Sequence, residues 1–257
     1  MEILGFDLSA IMPFILVGFA AQIVDGALGM AFGVISQTML VSLLGMPPAA
    51  ASASTHMVEV FTTGASGASH IWQKNVDWAL FRRLVPFGVA GGVLGAYLLT
   101  SIDASVARPF VMIYLAGVGI YLFIKAFRLN HHSFEDPKTT RPLALVGGFL
   151  DAAGGGGWGP VVTSNLLIQG GDPAKTVGTV NTSEFLLSLS VSIAFILTMG
   201  FEAFSIATVG MIVGGVLAAP LGAIIVKRIS PRSLLLAVSV VLIATSVFAI
   251  WKAWPIL

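Results

Sequence analysis

Asp151-Ala152-Ala153-Gly154-Gly155-Gly156-Gly157-Trp158-Gly159-Pro160 interrupts an apolar chain, and its reading decides the fold. Four consecutive glycines make a poor helix, each costing about 1 kcal/mol relative to alanine. In hydrocarbon their bare N–H and C=O groups would cost several kcal/mol each, so the run belongs inside protein or against a cavity. The apolar arms beside it, 142–151 and 160–170, are too short to cross a bilayer, which takes about 20 residues. They read as a re-entrant hairpin that enters and leaves on one side. Pro160 suits the first turn of the returning helix, where a missing N–H does no harm. Backbone amides and a positive helix end then face the tip, a geometry that suits an anion. The same glycines would also serve close helix packing. The run lacks the Gly-Lys-Ser/Thr ending of a phosphate-binding loop and follows no strand, so that reading is rejected.

The surrounding unit occurs twice. Asp25-Gly26 matches Asp151-Ala152 at an offset of 126 (151 − 25). Gly29, Gly33, Gly45 and Pro47 recur at that offset as Gly155, Gly159, Gly171 and Pro173. Glu59 returns as Glu184, Ile102 as Ile229, and Lys125-Ala126 as Lys252-Ala253, so one or two single-residue gaps align nearly the whole chain on itself. A duplicated membrane unit is the common build of secondary transporters, with the substrate site where the copies meet.

The 257 residues are 56% hydrophobic and only 10% charged, against about 25% charged in a soluble domain. A formal net charge of +1 with no basic run gives no case for nucleic acid, and the absence of cysteine excludes disulfides and thiolate metal sites. Glu2 and Asp7, with no basic residue before Ala10, argue against a cleaved signal peptide. Six stretches are long enough to span: 49–70, 79–100, 105–127, 174–199, 204–226 and 231–253. The first hairpin takes 9–45, with arms 9–24 and 29–45, and the second takes 142–170. The fold class expected is an all-α membrane protein of two inverted repeats, each a broken or re-entrant helical hairpin followed by three transmembrane helices. The first repeat is 1–127, a polar cytoplasmic linker 128–141, and the second repeat 142–257. Whether the first hairpin is re-entrant or a full span stays open, because its arms are longer.

Charge supports the inversion. In the inverted arrangement Lys74, Arg82, Arg83, Lys125, Arg128, Lys138, Arg141, Lys175, Lys227, Arg228 and Arg232 share one side, and only Arg108 and Lys252 the other, a split of 11 to 2. Four full spans per half would make the halves parallel and the split 8 to 5. The positive-inside rule favours inversion and puts both termini outside the cytoplasm.

Ser52, His56, Glu59, Thr63, Ser66 and His70 follow at alternating spacings of four and three, one face of a helix. Asn181, Glu184, Ser188 and Ser192 form the matching stripe, with His56 over Asn181 and Glu59 over Glu184. Ionisable groups inside a span are costly and point to function. Glu59, Glu184 and His56 are therefore the candidate coupling residues, His56 because imidazole titrates near neutral pH. The hydroxyls of the stripes would serve equally as interhelical hydrogen bonds. Candidates for holding substrate are Gln22, Asp25 and Gly26 at the first tip, Gly155, Gly156, Gly157 and Trp158 at the second, and Ser54, Thr55, His56, Asn181, Thr182 and Ser183 along the path. Ser36 and Gln37 flank the first tip; Thr163, Ser164 and Asn165 flank the second. Trp158 reads as packing or as a gate, and Arg108 as a boundary residue. His131-His132 with Glu135-Asp136 reads as a solvated loop, so no metal site and no cofactor are expected.

Together the two repeats, the tip Gly154–Pro160, Gly171-Asp172-Pro173 and Thr179-Val180-Asn181-Thr182-Ser183-Glu184 resemble the TauE/SafE sulfite exporter family, also called the sulfonate uptake permeases. The resemblance covers essentially the whole chain. It implies a multi-pass protein of the bacterial inner membrane that exports a small sulfur-containing oxyanion, sulfite or an organosulfonate, with proton coupling as one option. The first tip, Asp25-Gly26-Ala27-Leu28-Gly29-Met30, departs in being poorer in glycine, and no thiol relay is available. The partners expected are the anion and membrane lipid. Three rivals remain. One is a passive anion channel; another is an intramembrane enzyme built on Asp25 and Asp151 as a carboxylate pair. The third is a purely structural membrane scaffold, which leaves the paired intramembrane carboxylates without a purpose.

Overall fold

The computed structural model describes residues 2–3, 6–28, 30–127, 137–163, 165–166, 169, 171–201, 206–225 and scattered positions between 236 and 251. The expected last span, 231–253, most of the linker 128–141, Ser164 and the side chain of Arg108 lie outside the described residues. A two-residue antiparallel pairing, β1 Glu2–Ile3 with β2 Phe6–Asp7, precedes the helices.

Helix α1 covers Leu8–Leu28 and α2 Phe32–Thr38, continued by a π-helical turn Met39–Leu43. Three long helices follow: α3 Pro48–Trp72, α4 Trp78–Ser101 and α5 Ala104–Ala126. In the second half α6 is Arg141–Gly154, a π-helical turn spans Trp158–Thr163, α7 is Pro173–Met199 and α8 is Ile206–Ile225. Helix α1 ends at Leu28, several residues past the expected arm end at 24, and Met30 and Ala31 are non-helical before α2 begins.

The starts of α4, α5 and α7 are written in the sequence as aspartates. Asp77 accepts from the amides of Ala79 (2.8 Å) and Leu80 (3.1 Å). Asp103 accepts from Ser105 N–H and Asp172 from Lys175 N–H, each at 2.8 Å. These carboxylates satisfy amides that have no partner within the helix. Because the Ser105 hydroxyl and amide both donate to it, Asp103 is held below the usual carboxylate range. Helix α6 stops at Gly155, whose φ of +79° is left-handed and favours glycine.

Among the described residues, α4, α5 and Lys175–Met199 of α7 are long and apolar enough to cross a membrane. Helix α3 has 25 residues, ample length, but its polar stripe lowers its hydropathy. Large apolar side chains such as Leu94, Phe110 and Leu197 stand exposed on the outer surface, which suits lipid rather than water.

Among the described residues three helix pairs pack along one another most extensively, and small residues let each close up. Helix α1 packs along α8, with Gly18 against the Met211 backbone and Gly214 against the backbone of Ile15 and Phe19. Helix α4 packs along α6 in the same way: Gly91 meets the Leu145 carbonyl, Gly95 meets Phe149 and Gly148 meets the Gly88 carbonyl. Both pairs run parallel. Helices α3 and α7 run antiparallel, since Gly67 meets Thr182, Gly64 meets Phe185 and Glu59 meets Ser188. The end of α3 therefore lies beside the start of α7. There Lys175 Nζ donates to the Lys74 carbonyl at 2.7 Å, and the Asp77 amide donates to Thr179 Oγ1 at 2.8 Å.

Candidate functional site

Asp25 and Asp151 end the first arms of the two hairpins, and both fold back over the break. Asp25 Oδ1 accepts from the Phe32 amide at 3.2 Å. Asp151 Oδ1 accepts from the amides of Gly157 at 2.7 Å and Trp158 at 2.9 Å. Phe32 and Trp158 are themselves repeat partners, offset by 126 like the aspartates. Each carboxylate thus caps the arm that returns from its own tip.

This corrects the reading of the second tip as open to an anion. The amides of Gly157 and Trp158 are held by Asp151, and the Gly155 amide donates to the Asp151 carbonyl at 2.9 Å. The glycines seat the tip on the first hairpin instead. A side chain at Gly155 would run into Gln37, one at Gly156 into Val34, and one at Gly159 into Met30. Trp158 is packing and not a gate: it is fully buried, its ring fills the space beside Gly88 and Gly147, and its indole N–H donates to the Val180 carbonyl at 3.3 Å. A sequence scan shows glycines ahead of a helix start; it does not show which upstream carboxylate returns to them.

The stripe on α3 turns inward, with Ser52, His56, Glu59 and Thr63 all buried. It meets the second tip. Ser52 Oγ donates to the Ala152 carbonyl at 2.8 Å, and His56 Nε2 lies 3.2 Å from Asp151 Oδ2. Glu59 accepts from Ser188 of α7 at 3.3 Å, and its carboxylate faces Gly33 of the first returning arm. Donor atoms of His56, Glu59 and Asp151 all lie within 4.8 Å of one another. Glu184 is half-buried on α7, one turn before Ser188. The fold has therefore gathered residues from α3, α7 and both tips at one place. Pairing of His56 with Asp151, 95 residues apart, had no signal in the sequence.

Other expected path residues turn to their own surroundings. Asn181 Nδ2 donates to the Val177 carbonyl at 3.1 Å, Thr182 to Gly178 at 2.7 Å and Ser183 to Val180 at 2.8 Å. Ser54 accepts from Thr208 of α8 at 3.1 Å. Gly26 lies within α1, one residue after Asp25.

A different set of polar atoms is buried with no hydrogen-bond partner among the described residues: Gln22 Oε1, Ser36 Oγ, Gln37 Oε1, Thr38 Oγ1, Thr55 Oγ1 and Thr163 Oγ1. Such atoms cost about 1–3 kcal/mol each when left unmet. Four of them sit on the returning arms, and Gln37 touches Gly155 while its Nε2 donates to the Pro48 carbonyl at 3.1 Å. Thr38 was not picked out by sequence, because nothing in the periodicity distinguishes it. Behind the second tip an apolar groove of about 320 Å³ is lined by Tyr114, Gly117, Val118, Tyr121, Val161 and Asn165. Tyr114 was also missed; its hydroxyl donates to the Gly156 carbonyl at 2.7 Å and braces the tip from that side.

Comparison with known proteins agrees with this architecture. The family described as sulfite exporter TauE/SafE matches residues 14–249. The "Probable membrane transporter protein YtnM" of Bacillus subtilis (strain 168) is 40% identical over 230 residues, covering 86% of this chain and 76% of that protein. No solved structure matches the chain. A family match over nearly the whole length, a transporter relative of this identity and several long apolar helices make this a multi-pass membrane transporter, and the chain belongs to the TauE/SafE sulfite exporter family.

Proposed function

We propose that the chain exports a small sulfur-containing oxyanion, sulfite or an organosulfonate, from the cytoplasm across the bacterial inner membrane, coupled to protons. Its two halves, 1–127 and 142–257 joined by the linker 128–141, act as inverted repeats that alternate access to a site between them. Three contacts support the inversion. Helices α3 and α7 run antiparallel, Lys175 reaches Lys74 at one end of the bundle, and the parallel pairs α1–α8 and α4–α6 exchange under the repeat. A re-entrant second hairpin gives that arrangement; four full spans per half would put Lys74 and Lys175 on opposite sides.

The observation that carries the reading is the buried cluster where the halves meet, His56 and Glu59 from one and Asp151 from the other, beside polar atoms that lack partners. Substrate oxygens would meet the partnerless groups Gln22, Ser36, Gln37, Thr38, Thr55 and Thr163. The tip glycines and Asn181, Thr182 and Ser183 would shape the path around them. An anion beside Asp25, Glu59, Asp151 and Glu184 meets a like charge worth about 3 kcal/mol at ~6 Å and an effective dielectric of ~20. Positive charge must therefore arrive with it, and protons on Glu59, Glu184 and His56 would supply that charge. This gives coupling a physical reason. The enzyme alternative is weaker, because Asp25 and Asp151 each cap their own tip.

The test is sulfite flux into proteoliposomes with and without a pH gradient. Saturable flux that responds to the gradient and falls at least tenfold in Glu59→Gln is expected. Flux that neither saturates nor responds would make the chain a channel. No flux of sulfite or of any sulfonate would sink the substrate assignment.

A further inference from the structure

We propose that His56, Glu59 and Asp151 form a binding site for a divalent transition-metal cation, which ties helix α3 to the second tip. One donor atom from each lies within 4.8 Å of the others, and the side chains are buried to 1%, 2% and 3% exposure. The tautomer of His56 makes the case. Its Nδ1 has two neighbours, the Ser52 carbonyl at 2.8 Å and the Ser52 hydroxyl at 3.3 Å. That hydroxyl gives its proton to the Ala152 carbonyl at 2.8 Å, so both neighbours offer Nδ1 only lone pairs. Nδ1 must carry the ring proton. In the neutral imidazole Nε2 then presents a lone pair to an Asp151 oxygen 3.2 Å away. Two lone pairs face each other at that distance only with positive charge between them, which a proton on Nε2 supplies in an ion pair and a metal ion supplies in its place.

The His56–Asp151 separation of 3.2 Å is one that a metal would fit. Bonds of about 2.0–2.1 Å in a tetrahedral site put adjacent donors about 3.3 Å apart. Each ligand is also braced as metal ligands are. His56 donates its other ring N–H to a carbonyl, and its ring packs against Phe195 with centroids 6.2 Å apart. The second oxygen of Asp151 is fixed by two amides, and Glu59 is held by Ser188. As ligands, two carboxylates and a neutral imidazole carry two negative charges, which a divalent ion cancels in place of the protons that Glu59 and His56 otherwise hold. One nitrogen and two oxygens suit zinc, cobalt or manganese, and the absence of thiolates disfavours copper(I). The ligands span both halves, so an occupied site holds α3 and the second tip together and slows any exchange that separates them.

The test uses the whole chain, purified in detergent, stripped with a chelator and titrated with Co²⁺ by visible absorption, without sulfite. One Co²⁺ per chain, displaced by Zn²⁺, is expected. Affinity should fall at least tenfold in His56→Ala and in Glu59→Gln, while the double change His131→Ala, His132→Ala leaves it intact. Asp151→Asn is run beside a thermal melt because Asp151 also caps the tip; Glu59→Gln leaves that cap whole. A folded chain that takes up no Co²⁺ at millimolar concentration overturns the site and leaves a proton in the gap. So does binding unchanged by His56→Ala and Glu59→Gln. Binding is read without substrate, so metal uptake by a chain that moves no sulfite would leave this site standing while the substrate assignment fell.

Discussion

Asp151 does two things at once. Through Oδ1 it satisfies the Gly157 and Trp158 amides, and through Oδ2 it faces His56. The two roles separate by substitution. Asp151→Ala removes both, and two charge-assisted hydrogen bonds of about 1.5–3 kcal/mol each predict a loss of about 3–6 kcal/mol, read as a lower thermal midpoint in detergent. Asp151→Asn keeps an oxygen for the amides, so it should lose much less stability while still disturbing His56. Among the described residues Asp25 accepts from one amide, that of Phe32 at 3.2 Å, so Asp25→Ala should cost about half as much as Asp151→Ala. Equal losses for the three variants would mean that the caps do not hold the tips. Sequence made both aspartates conspicuous through their repeat positions. It did not reveal them as caps, because a carboxylate reaching six and seven residues ahead across a left-handed break follows no helical period.

Helix α3 is the element that sequence described best. Spacings of three and four put Ser52, His56, Glu59 and Thr63 on one face, and that face is buried. The hairpins were harder. A glycine run fixes where a helix cannot continue, so the second break at Gly155–Gly157 was visible, whereas the first, with fewer glycines, falls several residues later than expected. The close pairs α1–α8 and α4–α6 had no reading in the sequence, because nothing local says which helix a small residue will face. Their packing gives a direct contrast. Gly91→Ala would press a methyl group into the Leu145 carbonyl, with the Phe149 amide nitrogen at 2.9 Å. Overpacking of that kind costs about 1–3 kcal/mol. Gly117→Ala on α5 meets nothing within 4 Å among the described residues, and should be neutral or stabilising by up to about 1 kcal/mol. Thermal unfolding of the two variants in one detergent checks the order; the reverse order would show that α4 and α6 do not pack this closely.

For the whole molecule, the inverted arrangement makes a prediction that charge counting alone does not. The chain has no cysteine, so single cysteines report cleanly. Gln73→Cys and Thr139→Cys should label from the cytoplasmic face, and Ser101→Cys and Phe201→Cys from the opposite face. Parallel halves would put position 201 with position 73, an outcome that removes the inverted model. What the sequence determined by itself is the membrane setting, the duplication, the helical stripe and the family, because each rests on composition, on period or on residues adjacent in the chain. What only the tertiary structure decided is which groups meet: Asp151 with its own tip amides and with His56, Glu59 with Ser188, Lys175 with the Lys74 carbonyl. The physical reason is that a buried polar group must find its partner wherever packing brings one, and across 95 or 129 residues of chain no local period records the choice.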